Sequence, residues 1–167
     1  MNKVFTCHPF SSTPLRLTNN RLTAAARFMN GYGEVGEHLF ILDTGAIIST
    51  MSKTIAIYFS LYNKDVVNPG AHVYGFNKQP MSGRVIRVSY LHIGIMGVKD
   101  TLFFVPDSEE NIAEVLGSNL LNGLIPIPDF EAKLIWIIKN KHVPSPLHSK
   151  SLGVDIGCEV LVQEEMN

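Results

Sequence analysis

Phe40-Ile41-Leu42-Asp43-Thr44-Gly45-Ala46 is the stretch that decides how this chain is read: an apolar run ends abruptly in a turn that carries a carboxylate. Glu37 to Leu42 has the length and β-forming content of a strand entering a core. Asp and Thr bond readily to their own backbone, and Gly lets the chain turn sharply and approach a neighbour closely, so Asp43-Thr44-Gly45 terminates that strand. Ile47 to Ala56 then reads as a strand that turns into a capped helix, with helix expected near residues 51–61.

A second element follows downstream, Val115-Leu116-Gly117-Ser118-Asn119-Leu120-Leu121, two apolar residues and a glycine leading into a short helix at Ser118 to Asn122. Together with Leu-Asp-Thr-Gly-Ala, it resembles the retropepsin family of single-domain aspartic proteases. The resemblance runs over residues 15–138 and includes Ile127 to Trp136, which is similar to the family's final strand pair. It implies a mostly β, closed barrel-like acid-protease fold with one or two short helices. It also implies Asp43 as the catalytic residue and Thr44, Gly45, Leu116 and Gly117 as support for its turn, with Leu116-Gly117 packed beneath.

The chemistry explains why such a family pairs its subunits. A lone carboxylate is ionised at neutral pH and has no proton to give. Two carboxylates about 3 Å apart share one proton, so one serves as base towards water and the other as acid towards a carbonyl oxygen. The chain holds a single Asp-Thr-Gly, so the second carboxylate is expected from Asp43 of another copy across a two-fold axis. Thr44 would then brace the two turns across that axis. The resemblance thus implies a homodimeric aspartic endopeptidase, a hydrolase working on polypeptides at mildly acidic pH. Its substrate would lie against Gly45, Ala46 and a flap containing Tyr74, Gly75 and Phe76, taken from the His72 to Gly83 hairpin. Two other readings stay open: a catalytically silent dimerisation or peptide-binding module, and a zymogen that needs its tail removed. A plain surface hairpin is the competing reading of the flap.

Composition is consistent with one enzyme domain and excludes several other classes. The 167 residues are 46% hydrophobic, enough for a core of their own. Fourteen basic and 15 acidic residues spread along the chain offer no phosphate-binding surface, so nucleic acid is not an expected partner. Two cysteines, Cys7 and Cys158, make neither a zinc site nor a disulfide framework. His8, His38, His72, His92, His142 and His148 show no ligand spacing. Neither metal nor cofactor is expected. With no long apolar segment and no apolar stretch behind the N-terminal charge, the expectation is a soluble, cytoplasmic protein without membrane contact.

Gly31-Tyr32-Gly33-Glu34-Val35-Gly36 matches a dinucleotide fingerprint, but a short apolar strand follows where a helix is required, so it reads as a hairpin turn. Ser49 and Ser118 lack a nucleophile elbow and read as turn or helix caps. Asn19-Asn20 between Leu15-Thr18 and Arg21-Phe28 suits a tight hairpin. Arg84 and Arg87, at odd spacing on a strand, are expected on opposite faces at edge or solvent positions. Ile47 stands where viral relatives carry an acidic residue, and Ser60 to Gly70 reads as a long loop. Residues 1–14 are taken as an N-terminal segment and 139–167 as a C-terminal extension, with a linker at His142 to Pro146 and one strand within Leu152 to Gln163.

Overall fold

The computed structural model describes residues 11–29, 35–74, 80–108, 112–139, 149–152 and 160–163. The elements run β1 (Ser11–Pro14), β2 (Arg16–Thr18), β3 (Arg21–Met29), β4 (Val35–Leu42), β5 (Ser49–Thr50), α1 (Lys53–Tyr58), β6 (Val66–Tyr74), β7 (Pro80–Ile93) and β8 (Met96–Pro106). β9 (Val115–Leu116), α2 (Ser118–Leu121), β10 (Leu124–Asp129), β11 (Leu134–Lys139), β12 (Ser149–Leu152) and β13 (Val160–Gln163) complete the order. The fold is mostly β, with a closed barrel and two short helices.

Closure comes from β3. It pairs antiparallel with β4 on one side and, through Ala26 to Phe28, with Leu91 to Ile93 of β7 on the other. The ring β3-β4-β9-β5-β8-β7 therefore has six strands and returns to its start, with β2 and β6 as flanking strands. Asn19 and Asn20 sit at φ 50° and 60°, the two positive values that a tight hairpin between β2 and β3 needs.

Alternate positions of β3 fill the interior: Ala24, Ala26 and Phe28 are buried while Ala25 and Arg27 are only half-buried. Phe28 meets Phe59, Phe40 and Phe103 at ring-centroid distances of 4.8, 5.7 and 6.0 Å, and these rings form the centre of the core. On β7 the neighbours Val85 and Ile86 are both buried, in separate clusters on the two faces. That double coverage is why the strand's alternation is imperfect in the sequence.

Several sequence expectations are corrected. Residues 60–70 are not all loop, since Val66 onward is β6 and pairs with β7. β7 is an interior rather than an edge strand; Arg87 is exposed as expected while Arg84 is half-buried, and both engage the Tyr62–Asp65 segment. Arg84 lies 3.9 Å from the Tyr62 ring centroid and bonds to Asn63, while Arg87 donates its backbone N–H to the Asp65 carbonyl and pairs with its carboxylate at 3.9 Å. The strand expected within Leu152 to Gln163 is β13, and it pairs with a strand that was not expected, β12. The two apolar runs after α2 do close the core as expected, β10 and β11 forming a three-stranded sheet with β1 that contributes Leu124, Ile135 and Ile137. Ser52 caps α1, its hydroxyl accepting from the Ile55 N–H, while Ser49 lies in β5.

Candidate functional site

β4 delivers Asp43 to the barrel rim. It pairs in parallel with β9, Ile41 opposite Val115 and Leu42 opposite Leu116, and the Asp43 N–H continues the ladder by donating to the Leu116 carbonyl at 3.1 Å. The chain then turns. The Ala46 N–H donates to the Asp43 carbonyl at 3.2 Å, and the Gly45 N–H donates to Asp43 Oδ1 at 2.9 Å. Asp43, Thr44 and Gly45 are all exposed. One carboxylate oxygen is thus fixed by the turn itself, and the group faces outward from a rigid base.

Beneath the turn lies Gly117, which is buried and approaches Ala46 and Ile48 closely. A Cβ there would stand 2.8 Å from the Ala46 carbonyl oxygen and 2.8 Å from the Ile48 carbonyl carbon. Only a residue without a side chain allows that approach. The first amides of α2 are used in the same place: Ser118 N–H donates to the Ala46 carbonyl at 2.7 Å and Asn119 N–H to the Ile47 carbonyl at 3.2 Å. Both are amides that a helix start leaves without an internal partner.

Ser49 and Asn119 lock the two motifs together. Asn119 Oδ1 accepts from both the N–H and the hydroxyl of Ser49 at 2.8 Å, and its amide donates to the Leu102 carbonyl at 2.8 Å. The fully buried Ser49 hydroxyl in turn accepts from the Gly117 N–H at 3.0 Å. Every one of these polar groups has a partner, as burial demands. Ser49, expected in a turn or helix cap, instead anchors a hub that the sequence does not announce. The available signal was polar residues interrupting apolar runs, Ile48-Ser49 and Gly117-Ser118-Asn119-Leu120, which must find one another if buried. Ser118 is also no cap, since it opens α2 while its hydroxyl donates to the Ile47 carbonyl at 3.2 Å.

Of the residues singled out in the sequence, Asp43, Gly45, Ala46, Leu116 and Gly117 are joined by this backbone network, with Thr44 exposed at the tip. Tyr74 ends β6, half-exposed, outside the network. Gly75 and Phe76 lie outside the described residues. The base of the β6–β7 hairpin adjoins the turn through Ile48, which packs with Val73, Met81 and Leu102 on the Ala71–Val85–Phe104 cluster. Ile47 is 55% exposed beside the turn, an apolar side chain where the resemblance would place an acidic one. Among the described residues there is no group of three or more acidic, histidine or cysteine side chains suited to a metal.

The fold is similar to the crystal structure of a retropepsin-like aspartic protease from Rickettsia conorii, with 18% identity and a TM-score of 0.49 over 76% of this chain and 88% of that one. That likeness is one of chain path. No family model and no curated protein matches the sequence.

Proposed function

We propose that the chain is a retropepsin-like aspartic endopeptidase, active as a homodimer in which Asp43 of each copy forms one catalytic pair. The observation that carries this reading is an exposed carboxylate on a turn whose Asp43 N–H donates to the Leu116 carbonyl and whose Ala46 carbonyl accepts from the Ser118 N–H, beside a buried serine–asparagine hub. A rigid base with an outward-facing acid is what a pair shared across a two-fold axis needs.

In this reading a water lies between the two carboxylates. The ionised Asp43 takes a proton from it as the water oxygen bonds to the scissile carbonyl carbon, and the protonated Asp43 gives its proton to the carbonyl oxygen. The resulting tetrahedral adduct collapses when a proton passes to the amide nitrogen and the C–N bond breaks, leaving a carboxylic acid and an amine. No metal or cofactor enters these steps. Gly45 and Ala46 would hold the substrate backbone, Thr44 would brace the paired turns, and Tyr74, Gly75 and Phe76 would close over the peptide. The apolar surface of Ile47, Ile48 and Leu102 favours apolar residues flanking the scissile bond. No helix among the described residues is long and apolar enough to cross a membrane, and we place the enzyme in the cytoplasm.

Cleavage of a peptide library by the purified wild type, with and without a statine inhibitor, tests this against Asp43→Asn. Statine-sensitive cleavage that Asp43→Asn abolishes, with an unchanged circular-dichroism spectrum and sedimentation coefficient, is the expected result. Equal cleavage by Asp43→Asn contradicts it.

A further inference from the structure

Glu114 lies just before β9, and its side chain reaches two segments that flank the Asp43 turn. Oε2 pairs directly with His38 Nε2 on β4, and Oε1 accepts from the Ser52 hydroxyl at the start of α1 at 2.7 Å. Its backbone carbonyl accepts from the Ile41 N–H at 2.8 Å, and the preceding Ala113 carbonyl accepts from the Thr50 hydroxyl at 2.6 Å. The His38 ring is held edge-on against Phe40, 5.2 Å between centroids. One carboxylate therefore ties the strand before the turn, the helix after it and the strand beneath it.

We propose that Glu114 is a positioning residue for the Asp43 turn, and that its bridge to His38 and Ser52 fixes the register of β9 under that turn. The β4–β9 ladder covers only two residue pairs and is parallel, the less stable arrangement per residue. Backbone pairing alone specifies such a short ladder weakly. With side-chain exposures of 27% for His38 and 24% for Glu114, the contact is partly shielded from water. Its catalytic consequence rests on the endopeptidase reading, since a displacement of about 1 Å at a catalytic group costs on the order of 100-fold in rate.

The test compares Glu114→Ala, Glu114→Gln and wild type by amide hydrogen exchange followed residue by residue. Severing the bridge should speed exchange of the Asp43 and Gly117 amides by about tenfold or more, while β7 and β8 amides change by less than about twofold. Glu114→Gln should restore wild-type exchange, because the amide keeps an acceptor for Ser52 and can donate to His38 Nε2 in the tautomer that carries its proton on Nδ1. Turnover should follow the same order, with kcat falling and KM moving little. If Glu114→Ala does not fold, His38→Ala, which cuts one arm, carries the same comparison. Uniform acceleration across β7 and β8, no acceleration at Asp43 and Gly117, or no rescue by glutamine overturns the proposal. Exchange needs no substrate, so a wild type that cleaves nothing would count against the endopeptidase reading while exchange still decides the role of Glu114.

Discussion

Replacing Gly117 by alanine probes the contact on which the site is built. Its backbone, φ −91° and ψ −177°, is extended and open to any residue, so the cost of Gly117→Ala is steric. The new methyl carbon would meet the Ala46 oxygen and the Ile48 carbonyl carbon at 2.8 Å and the Ile48 oxygen at 2.9 Å. All three are backbone atoms, so no side-chain rotation relieves the clash. Strand β9 must retreat by several tenths of an ångström, which stretches the Ser118–Ala46 and Gly117–Ser49 bonds at 2.7 and 3.0 Å. Overpacking of this kind costs about 1–3 kcal/mol, and a weakened buried hydrogen bond adds about 1 kcal/mol. The gain from a less flexible unfolded chain is smaller, about 0.4–1 kcal/mol, so destabilisation wins by roughly 2–3 kcal/mol. Urea unfolding at fixed protein concentration should show the midpoint falling by about 1–2 M with an unchanged slope. Gly70→Ala supplies the baseline, because a Cβ there meets nothing within 4 Å. A change below about 0.5 kcal/mol for Gly117→Ala would refute the close approach of β9 to the turn.

Three further predictions concern the hub, the core and the acid limb of stability. Asn119→Ala leaves the Ser49 N–H and hydroxyl and the Leu102 carbonyl without their partner, and should cost about 2–4 kcal/mol in the same unfolding assay. Phe28→Ala, at the centre of the aromatic cluster, should cost about 3–5 kcal/mol. Asp129 is held below the usual carboxylate range, first by the Ala132 N–H and then by the Trp136 indole N–H, with the Glu131 N–H adding to these and desolvation opposing them. Because its folded pKa is depressed, its contribution is complete above the ordinary carboxylate pKa and disappears as pH falls through the folded value. Melting temperatures taken from about pH 6 to about pH 2 should therefore show a shallower acid decline for Asp129→Asn than for wild type.

The parts legible in the sequence were those governed by local chemistry. Asn19-Asn20 specifies its hairpin because few residues accept two consecutive positive φ values. The apolar run into Asp-Thr-Gly announces β4 and its turn, and the helices at 53–58 and 118–121 fall inside the spans expected for them. Relationships between distant segments were not legible. Nothing local in Ser11–Pro14 says that it pairs with β11, or that Val66 to Gly70 extends the β6–β7 hairpin rather than looping. The burial of Val85 and Ile86 on opposite faces blurred the period of β7. Ser49 with Asn119, and His38 with Glu114, become partners only when the barrel closes, so their sequence signal is no more than a polar residue in an apolar setting.

The shared pair of Asp43 carboxylates is tested most directly by mixing wild type with Asp43→Asn at fixed total concentration, allowing subunits to exchange, and measuring peptide cleavage. In an equal mixture random pairing leaves about one quarter of dimers with both carboxylates, so activity should fall to about one quarter of the unmixed wild type. Activity at about one half, in proportion to the wild-type chains present, would mean that each copy works alone and would contradict the account.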